Sequence, residues 1–122
     1  MRRDWLRPGT HVNSVGYNTA GREVDGETVA ASLVVVESRA AALAPPPGGS
    51  NDLLWPIRDG LIAATHVHAE LGELVTGSRT GRADATQLTL YKSVGVAVED
   101  AAAAALVLRL ARERGVGKMI DL

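Results

Sequence analysis

Residues 10–36 contain a strand, a short helix and a second strand in immediate succession. Thr10 to Val15 is a strand candidate that follows Pro8 and Gly9 and ends at Gly16. Leu33 to Val36 is a continuous apolar run of the kind that is covered on both faces. Between them, the stretch DGETVAAS predicts a short helix. This order is a βαβ unit, which sets two strands in parallel and predicts an α/β fold.

Composition limits what this fold can serve. The 122 residues suffice for one domain, and because aromatic residues make up 3% and Phe is absent, the core must be built from Ala, Val and Leu. The 13 basic and 14 acidic residues leave a net charge of −1 without a basic stripe, which argues against a nucleic-acid partner. The absence of cysteine excludes disulfides, zinc–thiolate clusters and a thiol nucleophile, and it fits a cytoplasmic protein.

Neither secretion nor membrane insertion is expected. The basic start of the chain is followed by Asp4, Arg7 and Pro8 where a signal peptide would be apolar. The longest apolar run, 101–111, is interrupted by Arg109 and falls short of the roughly 20 residues of a membrane span. We therefore expect a soluble protein without a membrane partner.

The remaining segments predict two short helices, a strand and a long helix. NDLLWPIRDGLI and HVHAELGELVTG are interpreted as helical pieces, separated from the first half by a loop that contains three consecutive prolines. QLTLYKS alternates as a strand. The segment after it has helical spacing, with Ser93 as the expected N-cap, and its apolar residues from Val94 to Leu108 predict a helix buried on most sides.

Two strand ends offer places for a ligand. In VGYN and KSVG a strand ends at or near a glycine, and free backbone N–H groups at such an edge suit an anion, although an ordinary strand-to-helix junction has the same pattern. Two such edges in one parallel sheet favour a shared crevice. No GxGxxG turn is present, so the phosphate-binding half of a dinucleotide site would have to lie outside this chain.

A metal site is not expected. His66 and His68 are accompanied by Glu70 and Glu73, but on a helix residues two apart point to different faces and do not share an ion. Packing or surface roles fit these histidines better, and no serine lies in a recognisable Ser–His–Asp motif.

Five segments together resemble the C-terminal portion of the ornithine cyclodeaminase/mu-crystallin family, in its order and spacing. They are LRPGTHVNSVGYNTAGREVD, VVVESRAA, NDLLWPIRDG, HAELGELVTG and TLYKSVGVAVEDAAAA. The resemblance implies the second half of a Rossmann-like parallel sheet plus a long C-terminal helix. Residues 1–92 would be the C-terminal half of an NAD(P)-binding Rossmann domain. Residues 93–122 would be the long helix and tail, packing on a substrate and dimerisation domain that this chain does not include.

The resemblance also implies roles for individual residues. NAD or NADP would be lined by Val12, Asn13, Ser14 and Val15, with Arg22 as a basic contact and Ser93 near the nicotinamide. A small imino or amino acid substrate would be met by Asn18 and Val94. In the family the whole protein is a dimer. Because the last helix would expose apolar surface unless something covers it, this chain alone is predicted to form oligomers or to need a partner.

One departure from the family concerns Asn18. Ornithine cyclodeaminases have an aspartate at this position, and an amide cannot accept a proton at neutral pH. The resemblance then implies an NAD(P)-dependent imine reductase or amino-acid dehydrogenase, the 122-residue chain alone being inactive. Two alternatives stay open: an ornithine cyclodeaminase, and a non-catalytic chain that is either a truncated remnant or a binding protein like mu-crystallin.

Overall fold

In the computed structural model, which describes residues 1–16, 18–118 and 120, four parallel strands form one sheet. The strands in chain order are β1 (His11–Val15), β2 (Ser32–Val36), β3 (Val67–Glu70) and β4 (Leu88–Ser93). Their order across the sheet is β1-β4-β2-β3, so the last strand of the sequence lies between the first two. The parallel α/β architecture predicted from the βαβ unit is confirmed.

Helices connect the strands and follow the last one. They are α1 (Gly26–Ala31), α2 (Arg39–Ala42), α3 (Asn51–Arg58), α4 (Leu71–Val75) and α5 (Ala97–Arg114). Asp25 caps α1 by accepting from the Thr28 N–H at 2.8 Å, and Ser50 caps α3 by accepting from the Asp52 N–H at 3.2 Å. Helices α1 and α3 pack against each other on one face of the sheet.

The core lies between this helix pair and the sheet. Val12 of β1 and Val34 of β2 both pair with Leu90 of β4, which puts the three side chains side by side on the covered face. Aliphatic burial of this kind is the main favourable term in folding. The buried apolar cluster consists of Val12, Val24, Val29, Val34, Val36, Ala42, Leu53, Val67 and Leu90.

The opposite face of the sheet is only partly covered. It carries Asn13, Val35 and Tyr91 in register, and a cavity of about 520 Å³ lies over it. Leu71 and Leu74 of α4 form one wall of this cavity. This cavity, which is lined by residues of β1, β2 and β4, therefore sits over the middle of the sheet and not at the strand ends.

The prediction of a helix over HVHAELGELVTG is wrong for its first half. Val67–Glu70 is a strand that pairs with β2, and Val67 and Ala69 point inward while His68 and Glu70 are half-buried. This alternation with period two is the signature of a strand, but over four residues it is too short to outweigh the helical pattern that follows. The strand passes directly into α4.

The two expectations for the last helix are also wrong. Ser93 is the last residue of β4 and not the N-cap of the helix. Residues 94–96 separate it from α5, which begins at Ala97 with Val96 as its N-cap residue. No residue of α5 is buried, since no other element of the described chain covers it. Of the tail, Met119, Asp121 and Leu122 lie outside the described residues.

No helix in the described part of the chain combines the length and apolar character that crossing a membrane would need.

Candidate functional site

The ends of β1 and β4 meet at the carboxyl edge of the sheet. Val15 is paired with Ser93, and the Gly16 N–H donates to the Ser93 carbonyl at 3.0 Å. Gly16 has a φ of +93°, which residues other than glycine rarely adopt. A Cβ at this position would meet no atom within 4 Å. The two strand ends singled out from the sequence are thus adjacent, and the space in front of Gly16 is open.

Glu37 is a residue of this edge that the sequence analysis missed. It follows β2, and its Oε1 accepts from the N–H groups of Val94 and Gly95 at 2.6 and 2.9 Å. The N–H groups expected to receive an anion at KSVG are therefore bound to a carboxylate of the chain itself. An acidic residue directly after the buried run LVVV was the available signal, because charged groups at strand ends usually have a partner.

Tyr91 places a neutral hydroxyl near the same edge. Burial raises the pKa of Tyr91 above its ordinary value of 10.0; a hydrogen bond with Ser93 lowers it, and the negative charges of Glu37 and Glu99 raise it further. The phenol therefore stays protonated at physiological pH. It can donate a hydrogen bond but cannot act as a base there.

The four β1 residues predicted to line a dinucleotide face in two directions. Asn13 and Val15 are exposed, the latter to 71%, while Val12 and Ser14 are buried on the helix-covered side. All four contribute to a cavity of about 240 Å³, which is completed by Met1, Glu23 and Val24. The exposed pair is thus available for direct contact, and the buried pair supports it from behind.

Asn18 lies in an ordered turn. Its Oδ1 accepts from the Ala20 N–H at 2.9 Å, and the Asn51 side chain donates to the carbonyls of Asn18 and Gly21 at 2.8 and 3.1 Å. The side chain of Asn18 is exposed. A residue with the predicted chemistry is therefore held in place from the start of α3.

Arg22 lies beside α3. Its guanidinium carbon is 5.9 Å from the centre of the Trp55 ring, and Arg58 lies 5.6 Å from the same ring. Cation–π contacts at such distances are worth about 0.5–1 kcal/mol when exposed. Two further residues were predicted to contact the ligands. Ser93 is 4% exposed, and Val94 is half-buried, with the Val94 N–H bound to Glu37.

The histidines do not form a metal site. His66 Nε2 is 2.9 Å from the Val29 carbonyl and His68 Nε2 is 2.8 Å from the Thr80 carbonyl, so each ring N–H donates to a different backbone oxygen. Within the described residues no group of three potential ligands is suitable for a metal ion. The helix-based argument against a shared ion is wrong in its premise, because His68 lies in β3.

The order of these elements, from LRPG to the start of the last helix, agrees with a known family. The family model of the ornithine cyclodeaminase/mu-crystallin family matches residues 1–115. The chain belongs to this family. The resemblance stated from the sequence is thereby confirmed.

Relatives within the family have been named as reductases. The Delta(1)-pyrroline-2-carboxylate reductase of Bacillus cereus (strain ZK / E33L) is 41% identical over 118 residues, which are 95% of this chain and 35% of the relative. The ketimine reductase mu-crystallin of Mus musculus is 37% identical over 105 residues, 85% of this chain and 29% of the relative. The chain spans about a third of the length of these family members.

A solved family structure has the same fold. The Delta(1)-pyrroline-2-carboxylate reductase of Thermococcus litoralis, in complex with NADH and L-proline, matches with a TM-score of 0.87 at 43% identity. The match covers 98% of this chain and 36% of that structure. The parallel α/β sheet of this chain is thus the same fold as part of an NADH-bound reductase of the family.

Proposed function

We propose that this chain forms part of the site of an NAD(P)-dependent oxidoreductase that acts on a small imino or amino acid. The observation that carries the proposal is the Gly16–Ser93 contact, which joins two strand ends around an open space. Ligands of open α/β sheets bind outside the carboxyl ends of the strands, and this is such a place. The reductase names of the family relatives give the reaction class.

The described residues suit one part of a nicotinamide dinucleotide. The cavity of about 240 Å³ along β1 is smaller than the roughly 300–1,000 Å³ of ordinary ligand pockets, so it would hold only a portion of the cofactor. Asn13 and Val15 would line that portion, supported by Val12 and Ser14. Arg22 and Ser93 are the further contacts that we propose, and the preference for NAD or NADP is left open.

When bound, the nicotinamide would donate a hydride to the α-carbon of the substrate in reduction, or accept one from it in oxidation. The chain's own contribution is orientation. The open backbone at Gly16 would let a ligand approach closely. Val94 and Asn18 would contact the substrate and orient it. Because the amide of Asn18 cannot accept a proton at neutral pH, reduction of an imine fits this residue better than release of ammonia from ornithine.

We further propose the division of labour along the chain. Residues 1–92 would act as the C-terminal half of the cofactor-binding domain, and residues 93–122 would lead back toward a substrate and dimerisation domain. The exposed surface of α5 supports this, since a helix with no buried residue has a surface for a partner. The glycine-rich phosphate-binding turn would lie in the other part of the protein.

The proposal is tested by NADH titration and turnover. The 122-residue chain should bind NADH weakly or not at all. A protein that carries this chain together with the rest of the family's length should oxidise NADH in the presence of Delta(1)-pyrroline-2-carboxylate. Gly16→Val should abolish this turnover, because its side chain enters the open space and is strained at this φ, whereas the exposed Gly72→Ala should not. Tight NADH binding by the short chain, or full activity of Gly16→Val, would contradict the proposal.

A further inference from the structure

Lys92 is a fully buried lysine at the carboxyl end of β4. Its side chain is 0% exposed, and Nζ lies 2.8 Å from Asp52 Oδ2, 2.7 Å from the Gly16 carbonyl and 3.0 Å from Ser14 Oγ. Glu23 Oε2 lies 3.5 Å away. An ammonium group has three N–H donors, and here each has an acceptor, as an ion buried from water requires.

Asp52 continues the network from the start of α3. It is 2% exposed, and its other oxygen, Oδ1, accepts from the N–H groups of Glu23 and Val24 at 2.6 and 3.0 Å. Lys92 thus binds the first residue of the loop after β1, and Asp52 binds its last residues. Between these points, the neighbouring Asn51 binds the carbonyls of Asn18 and Gly21.

The two buried charges hold this loop, described at Gly16 and residues 18–24, without facing a ligand themselves. Neither Lys92 nor Asp52 reaches solvent, so neither can touch a molecule in front of Gly16. A buried ion pair is commonly no more stabilising than apolar side chains of the same volume. What apolar side chains could not provide is the set of hydrogen bonds that fixes the Gly16 carbonyl and the amides of Glu23 and Val24.

We propose that Lys92 and Asp52 are positioning residues of the candidate site. They hold Gly16 and residues 18–24 of this loop so that Gly16 and Asn18 face the ligand. The inference rests on the proposed function for the identity of the ligand. The ordering of the loop by the ion pair is a property of this chain and can be measured without turnover.

The first experiment measures backbone motion in the 122-residue chain by ¹⁵N relaxation. In the double variant Lys92→Met, Asp52→Leu, which removes both charges together, the order parameters of Ala20 and Gly21 should fall from about 0.85, typical of rigid backbone, to below about 0.6. Neither amide is bonded to Lys92 or Asp52, so a fall reports on the whole loop. Val34 and Leu90 of the core should keep their values.

Two further variants make the result specific. Asp52→Asn keeps an oxygen for the amides of Glu23 and Val24, removes the ion pair and turns an N–H₂ donor toward the Lys92 ammonium. It should loosen the loop, and it tests the inference if the double variant does not fold. On α5, Arg109 Nη1 lies 3.1 Å from Glu113 Oε1 in an exposed ion pair. The control variant Arg109→Met with Glu113→Leu removes this pair and should leave the loop unchanged. Equal loosening of core and loop, or an unchanged loop in Asp52→Asn, would overturn the inference.

The second experiment measures turnover in the longer protein. Asp52→Asn should lower kcat/KM for the imine about tenfold, the effect of losing roughly one hydrogen bond in the arrangement, and should raise the Kd for NADH by a smaller factor, because Arg22 belongs to the same loop. A rise in the NADH Kd as large as the loss in kcat/KM would overturn the positioning role at the substrate end. If the unsubstituted protein does not turn over at all, the proposed function fails, and the relaxation result still decides whether the ion pair orders the loop.

Discussion

The Gly16 amide donates to the Ser93 carbonyl at 3.0 Å, so the ends of β1 and β4 are joined by a direct hydrogen bond. The geometry depends on the positive φ of Gly16, +93°. Gly16→Ala should lower the free energy of unfolding by about 1–3 kcal/mol, because alanine is strained there. Urea denaturation measures this loss.

Gly72→Ala is the matched control for this prediction. Gly72 lies within α4 without a positive φ, and an added Cβ would meet nothing within 4 Å. Alanine should therefore be neutral or stabilise by about 0.5–1 kcal/mol, as in other helices. Equal effects of the two substitutions would show that the backbone at Gly16 is not constrained.

The cap of α1 predicts a pH-dependent contribution to stability. Partial burial raises the pKa of Asp25, but hydrogen bonds from Thr28 and from the Arg3 N–H outweigh it, so the pKa lies below its ordinary value of 3.8. A lowered pKa in the folded state means that this stability is present above about pH 4 and is lost as the pH falls through the folded value.

The measurement compares Asp25→Ala with the unsubstituted chain. At pH 7 the variant should be less stable by about 0.5–2 kcal/mol, the usual effect of removing an N-cap. The difference should shrink in urea melts below about pH 4, where the carboxylate becomes protonated. A difference that is constant down to acid pH would mean that the charge of Asp25 does not contribute.

A carboxylate at position 18 should change the reaction. In the longer protein, Asn18→Asp should release ammonia from ornithine, because it supplies the proton acceptor that the amide lacks, and general bases contribute about 10²–10⁴-fold to rates. Asp keeps an oxygen for the Ala20 N–H, so the turn should persist. Thr19→Asp, one residue further, is the control in the ammonia assay. If Asn18→Asp releases no more ammonia than Thr19→Asp, a proton-handling role for position 18 is excluded.

Helix α5 should drive association of the 122-residue chain. Val98, Val107 and Leu108 are 70%, 66% and 50% exposed, and apolar side chains exposed along a helix with no buried residue promote interaction. Sedimentation should give at least twice the monomer mass. Val107→Glu with Leu108→Lys should shift the chain toward monomer, whereas Val75→Glu, at the exposed end of α4, should not. A stable monomer without substitutions would contradict the prediction.

The sequence predicted those elements whose signals are local. β1, β2 and β4 have runs or alternation of β-forming residues, and α1 and α3 follow capping residues, so each pattern is complete within a few positions. β3 was missed because four residues carry little periodicity, and its strand conformation depends on pairing with β2. Burial of α5 was wrongly predicted because an apolar composition does not say whether a covering surface is present.

The site was predictable only in part for the same reason. Glycines at strand ends and the family resemblance indicated Gly16 and Ser93. The role of Lys92 was not visible, since its partner Asp52 lies on another element, and a lysine beside a serine in a strand does not reveal burial. Glu37 was missed likewise, because its bonds to Val94 and Gly95 depend on the order of strands across the sheet.

The position of β4 between β1 and β2 determines when the sheet can fold during translation. During synthesis β1 and β2 emerge from the ribosome before the strand that pairs with both of them, and Ser14 and Lys92 are 78 residues apart. Until β4 is released, no strand connects β1 to β2, and β1 has no strand partner in this sheet. Folding of this sheet is therefore completed after translation of residue 93, and a ribosome stalled before that point would hold a nascent chain without its central strand.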